Sequence, residues 1–213
     1  MTEVTVIDYG VGNLLSVQRG LEHCGAHVTV TGDPTHILDA KRVVLPGVGA
    51  FARGMAELRR AGLDSVVRAV ASRGTPLLGI CLGMQMLLEE SEEFEVTAGL
   101  GIIPGRVTAI PDLDADGGGQ KVPHIGWSPL VPPSYHPGWG GTILANTLSE
   151  EAVYFVHSFM AVPSISGHRI ADTLYGGVPI TAVVQDGRVF GCQFHPEKSG
   201  AVGLRILRSF ISL

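Results

Sequence analysis

The rhythm of apolar and polar positions changes about halfway along the chain. In the first half, short apolar runs alternate with stretches whose apolar residues recur at helical spacing. "EVTVID" (3–8) predicts a strand, "NLLSVQRGLEHCG" (13–25) a helix stopped by a glycine, and "AHVTVT" (26–31) a second strand. "RVVLPG" (42–47) predicts a third strand, cut off at Pro46. "MAELRRAGLDSVVRAVASRG" (55–74) predicts one long helix or two abutting ones, "PLLGI" (76–80) a short buried strand, and "LGMQMLLEE" (82–90) another helix. Alternation of this kind implies a parallel sheet covered on both faces.

The second half predicts extended segments at "RVTAI", "AVYFVHSF", "HRIADTLY" and "ITAVVQ". In "ITAVVQDGRVFGCQF" (180–194), Asp186-Gly187 is a two-residue turn signal for an antiparallel hairpin. "AVGLRILRSFISL" follows as an amphipathic helix, while the turn-rich stretches 111–120 and 132–141 read as surface loops. With no internal repeat and no linker, residues 1–213 are expected to form one α/β domain.

Composition narrows the class. Of 213 residues, 45% are apolar and 16% charged, enough for a large core, and 29 glycines imply many tight turns. The net charge is −5 and no run of basic residues is longer than a pair such as Arg59–Arg60, so no nucleic-acid footprint is expected. Three cysteines (Cys24, Cys81 and Cys192) argue against a disulfide framework and for a reducing compartment. "MTEVTVIDYG" has no leader-like pattern, and the longest apolar stretch, around 76–88, is too short to span a bilayer. A soluble, cytoplasmic protein with no membrane partner is expected. The histidines at 23, 27, 36, 124, 136, 157, 168 and 195 lack zinc-site spacing, so no metal is expected; His124 and His157 read as structural hydrogen-bonders.

One cysteine changes the picture. A lone cysteine in an apolar run is usually a core residue. Cys81, however, lies in "GICLG" (79–83), where a short strand runs into a helix, with a glycine two residues before it and two after. That is the strand–turn–helix pattern of a nucleophile elbow with cysteine in place of serine. A thiolate there gains from the helix N-terminus, and the N–H of Leu82 is expected to point to where an oxyanion forms. The base is expected in "QFHPEKS" (193–199): in an extended segment His195 and Glu197 share a side, and the carboxylate would orient the imidazole. Alone, His-Pro-Glu reads as a solvated loop. With the elbow, the order Cys81, His195, Glu197 predicts a triad.

"GICLGMQ" together with "QFHPEKS" resembles the class I glutamine amidotransferases, flavodoxin-like α/β domains that hydrolyse glutamine and deliver its ammonia elsewhere. "IDYGVGNLLSV" (7–17), "LPGVGAF" (45–51), "VPHIGWS" (122–128) and "YFVHSF" (154–159) are similar to the glutaminase subunits of imidazole glycerol phosphate synthases, over nearly the whole chain. The resemblance implies a central, mostly parallel sheet with helices on both faces and an antiparallel C-terminal portion. It implies Cys81 as nucleophile, His195 as base and later acid, and Glu197 as its partner. "PGVG" (46–49) looks like the family's oxyanion loop, in which Gly47 and Gly49 allow the peptide of Val48 to turn its N–H toward the oxyanion beside Leu82. Gln85, Glu93, Ser158 and Phe159 match family positions that hold the substrate glutamine. No cofactor is implied.

The resemblance further implies a heterodimer with a (β/α)₈ cyclase subunit, to which ammonia is channelled in histidine biosynthesis. Asn13, Pro123, Ile125 and Trp127 are expected at that interface; the bland alternative for "VPHIGW" is a core-edge strand. "GVGNLL" (10–15) lacks the third glycine of a dinucleotide fingerprint and is rejected as a nucleotide site. Three features depart from the family pattern: Phe159-Met160 stands where Tyr and a polar residue are usual, Ser128 stands for Asn, and the loops at 111–120 and 132–141 look long. They leave open a glutaminase that feeds a related synthase. A cysteine hydrolase of the same architecture and a non-catalytic binding module are the other readings.

Overall fold

The computed structural model describes residues 2–135 and 138–213; His136, weighed above as a histidine without metal spacing, lies outside them. The first half contains β1 (Thr2–Ile7), α1 (Leu14–His23), β2 (Ala26–Thr31), α2 (Pro34–Leu38), β3 (Val43–Leu45), α3 (Phe51–Arg60), α4 (Leu63–Ser72), β4 (Leu77–Ile80) and α5 (Leu82–Met86). Then come β5 (Glu90–Ser91), β6 (Thr97–Ala98), β7 (Gly105–Ala109), β8 (His124–Pro129), β9 (Ala152–His157), β10 (Phe159–Pro163), β11 (Arg169–Tyr175), β12 (Val178–Asp186), β13 (Val189–Cys192) and α6 (Gly200–Ile211).

Seven strands form the central sheet in the order β11-β12-β13-β4-β3-β1-β2. From β13 to β2 the strands are parallel, and β12 and β11 add an antiparallel edge. The alternation along each strand splits the core between two faces. Val4, Val6, Val44, Leu78 and Ile80 pack toward α1 and α6, with Leu21, Leu207 and Phe210. Val43, Leu45 and Leu77 turn the other way, against Ile37, Met55, Leu58 and Val67 of α2, α3 and α4. A four-stranded sheet, β10-β7-β5-β6, and the antiparallel pair β8-β9 stand beside this frame.

Several predicted elements are corrected. Of the two readings of 55–74 the structure takes the pair of abutting helices, separated at Gly62 (φ 70°), and the correction is to the start: α3 begins earlier, at Phe51. The 82–90 helix stops at Met86; Leu87 and Leu88 are buried in the turn that leads into β5. α2 was not predicted, because five residues carry too little periodicity; its signal is local, Asp33 accepting from the N–H groups of Thr35 (2.7 Å) and His36 (3.3 Å) ahead of Pro34. "VPHIGWS" runs into a strand, β8, paired with β9. "AVYFVHSF" is split, with β9 on β8 and β10 on β7, and Ser158 marks the switch. In the hairpin, Asp186 pairs with Val189, so the loop residues are Gly187 (φ 55°) and Arg188, one position later than the signal. The 132–141 stretch is not wholly a surface loop: Trp139 is buried and donates its indole N–H to the Ile170 carbonyl at 3.0 Å.

Candidate active site

β4 ends directly on Cys81, whose N–H donates to the Cys192 carbonyl at 2.7 Å before α5 begins. Cys81 has φ 53° and ψ −112°, a backbone conformation that L-residues rarely adopt. Its neighbours are packed so tightly that only glycine fits. A Cβ on Gly79 would lie 2.7 Å from the Gly83 carbonyl oxygen, and one on Gly83 only 1.8 Å from that of Leu45. The strained turn is therefore held by contact with β3 and with its own helix.

His195 follows β13. Its Nδ1 lies 2.8 Å from Oε1 of Glu197, and both side chains are buried. The geometry differs from the extended segment expected: residues 196–198 form a 3₁₀ turn, and the contact is made across it. Gly20 of α1 leaves room for this, since a Cβ there would press on the Glu197 Cβ at 3.1 Å. The segment is clamped from both sides. The His195 N–H donates to the Tyr154 carbonyl at 3.0 Å, and the Ser199 hydroxyl donates to the His195 carbonyl at 2.7 Å while accepting from the Tyr154 N–H at 2.9 Å. A carboxylate only accepts, so Nδ1 carries hydrogen and Nε2 is the free nitrogen. Nε2 is buried without a hydrogen-bond partner among the described residues. Burial opposes the charged ring, but the neighbouring Cys81 and Glu197 outweigh it and push the imidazole up to about 9.

Cys81 and His195 line one cavity of about 360 Å³ together with Val48, Gly49, Leu82, Gln85, Glu93, Pro123, Val156, His157, Ser158 and Phe159. The fold thus gathers the predicted nucleophile, base, oxyanion loop and substrate residues. Gln85 Nε2 donates to the Phe159 carbonyl and to Gln193 Oε1, both at 3.0 Å, which fixes the amide and leaves its oxygen as the free group. Glu93 accepts from the Phe51 N–H at 2.5 Å and so caps α3, which has no side-chain cap of its own. Gly47 is not among the lining residues; it packs beneath, where a Cβ would meet the Tyr9 hydroxyl at 2.7 Å and Leu82 Cβ at 3.0 Å.

Two residues of this region escaped the sequence reading. Gln193, fully buried, directs its Nε2 at the Cys81 sulfur, 3.8 Å away. A glutamine inside the apolar "FGCQF" was the available signal. Tyr9, buried under the loop, donates its hydroxyl to the Pro46 carbonyl at 2.8 Å; burial, and then charge at Cys81, push its phenol well above the usual range.

Of the residues assigned to an interface, Pro123 lines this cavity, Ile125 and Trp127 lie on β8, and Asn13 caps α1. Ile125 and Trp127 are more than half exposed on β8, and Trp127 meets Tyr154 edge-on with ring centroids 6.1 Å apart. Pro123 is exposed at the cavity rim. Asn13 accepts from the Ser16 N–H at 3.4 Å as the cap of α1, in a crevice shared with Pro46, Gly47, Val48, His195 and Glu197. Among the described residues, no group of His, Cys, Asp and Glu has the arrangement of a metal site, and no helix is long and apolar enough to cross a membrane.

Comparison with known proteins bears on the whole chain. The model for "Glutamine amidotransferase class-I" matches residues 5–212. Imidazole glycerol phosphate synthase subunit HisH 1 of Legionella pneumophila (strain Lens) is 50% identical over 213 residues, covering 100% of both chains. The HisH subunit of Geobacillus sp. (strain WCH70) is 46% identical over 210 residues, 99% of this chain and 96% of that one. Among solved structures, one described as a glutamine amidotransferase superposes with a TM-score of 0.72 at 20% identity, covering 99% of each chain, a likeness that speaks to fold alone. The elbow, the fold and the full-length identities converge: this chain belongs to the class I glutamine amidotransferase family, and within it to the HisH subunits of imidazole glycerol phosphate synthase.

Proposed function

We propose that the chain hydrolyses L-glutamine to glutamate and ammonia with Cys81, His195 and Glu197, and passes the ammonia to a (β/α)₈ cyclase subunit that makes imidazole glycerol phosphate and aminoimidazole carboxamide ribonucleotide in histidine biosynthesis. The observation that carries this reading is the shared cavity, lined by Cys81 of the elbow and by His195, whose Nδ1 is held by the buried Glu197 carboxylate.

A charged imidazole in the same cavity as the sulfur at neutral pH has a proton ready for the leaving nitrogen. Sulfur attacks the side-chain amide carbon, and the oxyanion is met by the N–H of Leu82 and by a peptide N–H of the 46–49 loop. The carbon–nitrogen bond breaks, His195 gives its proton to the leaving ammonia, and a thioester remains. Water then attacks the thioester carbon and loses a proton to His195; the carbon–sulfur bond breaks, glutamate leaves, and the sulfur and the charged imidazole are restored for the next cycle. Glu197 stabilises the charged ring throughout. Glutamine is held by Gln85, Glu93 and the backbone of Ser158 and Phe159.

The proposed partner surface is the apolar rim of this cavity. Ile125, Trp127 and Val156 stand exposed on β8 and β9, and Val156 lines the cavity together with Val48 of the loop. An aromatic anchor at such a rim is a frequent hot spot. Docking there would close the cavity mouth and couple the loop to the state of the cyclase. The location proposed is the cytoplasm, where three free cysteines stay reduced.

The test is reconstitution with the histidine-pathway cyclase. Glutamine hydrolysis is expected to rise when the loaded cyclase is added, to vanish in a folded Cys81→Ala variant, and to lose its stimulation in Trp127→Ala. Hydrolysis that persists in Cys81→Ala contradicts the triad. Failure of that cyclase to bind, with another barrel synthase binding instead, redirects the ammonia.

A further inference from the structure

Beneath the partner-facing surface of β8 runs a hydrogen-bonded chain that the mechanism does not use. His124 and Ser128 sit on the inner side of β8, opposite Ile125 and Trp127. Ser128 Oγ lies 2.8 Å from His124 Nε2, His124 Nδ1 lies 3.2 Å from His157 Nε2, and His157 Nδ1 lies 2.8 Å from the carbonyl oxygen of Phe159.

The direction of this chain follows from its last member. A carbonyl only accepts, so His157 carries hydrogen on Nδ1 and offers a lone pair at Nε2. His124 must then donate from Nδ1 and accept at Nε2, which makes the Ser128 hydroxyl a donor. Both rings are held in that neutral form: burial lowers each to about 4. The His124 ring is also sandwiched between Phe155 and Tyr175, with centroids at 4.8 and 4.1 Å, so it cannot swing away without unstacking. At the far end, the Phe159 oxygen accepts a second bond from Gln85, and both its lone pairs are occupied.

We propose that Ser128, His124 and His157 are positioning residues for glutamine recognition: they fix the Phe159 carbonyl, and with it the Ser158–Phe159 backbone that lines the cavity, in the arrangement that receives the substrate. The inference rests on the glutaminase reading above. None of the three is assigned a role at the Cys81 sulfur or the scissile amide, so their loss should weaken binding and spare the chemical step. The chain also joins the inner face of β8 to the substrate wall, so a shift of that strand on docking reaches the glutamine site through three bonds.

Steady-state kinetics of the cyclase complex separates these roles, because uniform loss of binding raises KM at constant kcat. His157→Phe is expected to raise the KM for glutamine about tenfold, the scale of one lost hydrogen bond to a buried acceptor. Its kcat should stay within about twofold of wild type. His157→Asn, which keeps a donor near the Nδ1 position, should recover most of that loss. Ser128→Ala should raise KM about threefold, since it frees the tautomer of His124 without touching the cavity. A folded His157→Phe enzyme with unchanged KM, or with its loss confined to kcat, overturns the proposal. Should the buried variants fail to fold, ¹⁵N spectra of histidine-labelled wild-type protein still decide it. They are expected to show His124 and His157 neutral with hydrogen on Nδ1; hydrogen on Nε2 of His157 overturns the assignment. Absence of any Cys81-dependent hydrolysis by the wild-type complex removes the glutaminase site itself, and this proposal with it, whereas normal wild-type hydrolysis with unaltered variants refutes the proposal alone.

Discussion

Two glycine-flanked turns face one cavity, and they are built in different ways. The elbow at 79–83 lies in a wholly buried stretch, and both of its glycines are demanded by contact: any side chain on them would strike backbone. The loop at 46–49 is anchored at its base, where Tyr9 holds the Pro46 carbonyl and Gly47 packs on Leu82. Beyond that it is open. Val48 is 41% exposed, and Gly49, at φ 95°, has nothing within 4 Å of where a Cβ would stand. Packing fixes the wall that carries the proposed nucleophile, whereas only backbone preference holds the tip that carries the proposed oxyanion donor. A glutaminase that must not waste an abundant substrate gains from that division, because the tip can turn when a partner arrives while the nucleophile stays in place.

The comparison is broken most directly at its tight end. Gly83→Ala drives a Cβ into the Leu45 carbonyl, and β3 cannot retreat without unpairing from β4. A loss of about 3–5 kcal/mol is expected, read by chemical denaturation, with glutamine hydrolysis abolished. Wild-type stability in Gly83→Ala contradicts the packing account.

The elbow side also carries a pH signature that the loop, with no ionisable side chain at 46–49, cannot share. The His195 imidazole is raised from 6.5 to about 9, so its contribution is complete below pH 6.5 and is lost as pH rises through 9. His124 and His157 are lowered to about 4; their contribution is complete above 6.5 and is lost as pH falls toward 4. Thermal unfolding should therefore peak near pH 6.5. The stability gap between wild type and His195→Gln, read by chemical denaturation, should shrink from pH 6.5 to pH 9.5 by on the order of 2–3 kcal/mol. A gap that widens over that range contradicts the charged imidazole.

The open end should respond more mildly. Gly49→Ala meets no atom, and only the positive φ resists it, so a stability loss of about 1 kcal/mol is expected. The partner-stimulated kcat should fall by more than that loss explains. If Gly49→Ala destabilises the fold as much as Gly83→Ala, the two turns are not different in kind.

The elbow was legible in the sequence for the reason that makes it rigid. A motif whose glycines are fixed by steric contact leaves little freedom in residue type, so "GICLG" announced the turn and the thiol that it brings to the cavity. The parallel half of the sheet was legible because β3 and β4 are buried throughout and β1 over its last four residues, so they read as continuous apolar runs. What the sequence hid lay in long-range partners. Gln193 and Tyr9 gain their meaning from Cys81 and Pro46, which are distant in the chain. β8 was weighed only as the alternative for "VPHIGW", because its pairing with β9, which makes it a strand, is non-local. The contact between His195 and Glu197 was anticipated on the wrong geometry, since a 3₁₀ turn delivers the same carboxylate that an extended segment was expected to.

The central claim, that the elbow presents Cys81 to glutamine while the other two thiols are structural, is tested most directly by labelling. Cys192 is fully buried, and the Cys24 thiol lies 3.3 Å from the Leu204 carbonyl, outside the cavity. The wild-type protein in complex with the proposed cyclase is incubated with a chloroketone analogue of glutamine, digested and read by mass spectrometry. The account predicts a single adduct on Cys81, blocked by excess glutamine and formed faster when the cyclase is loaded. An adduct on Cys24 or Cys192, or labelling of Cys81 that glutamine does not slow, contradicts it.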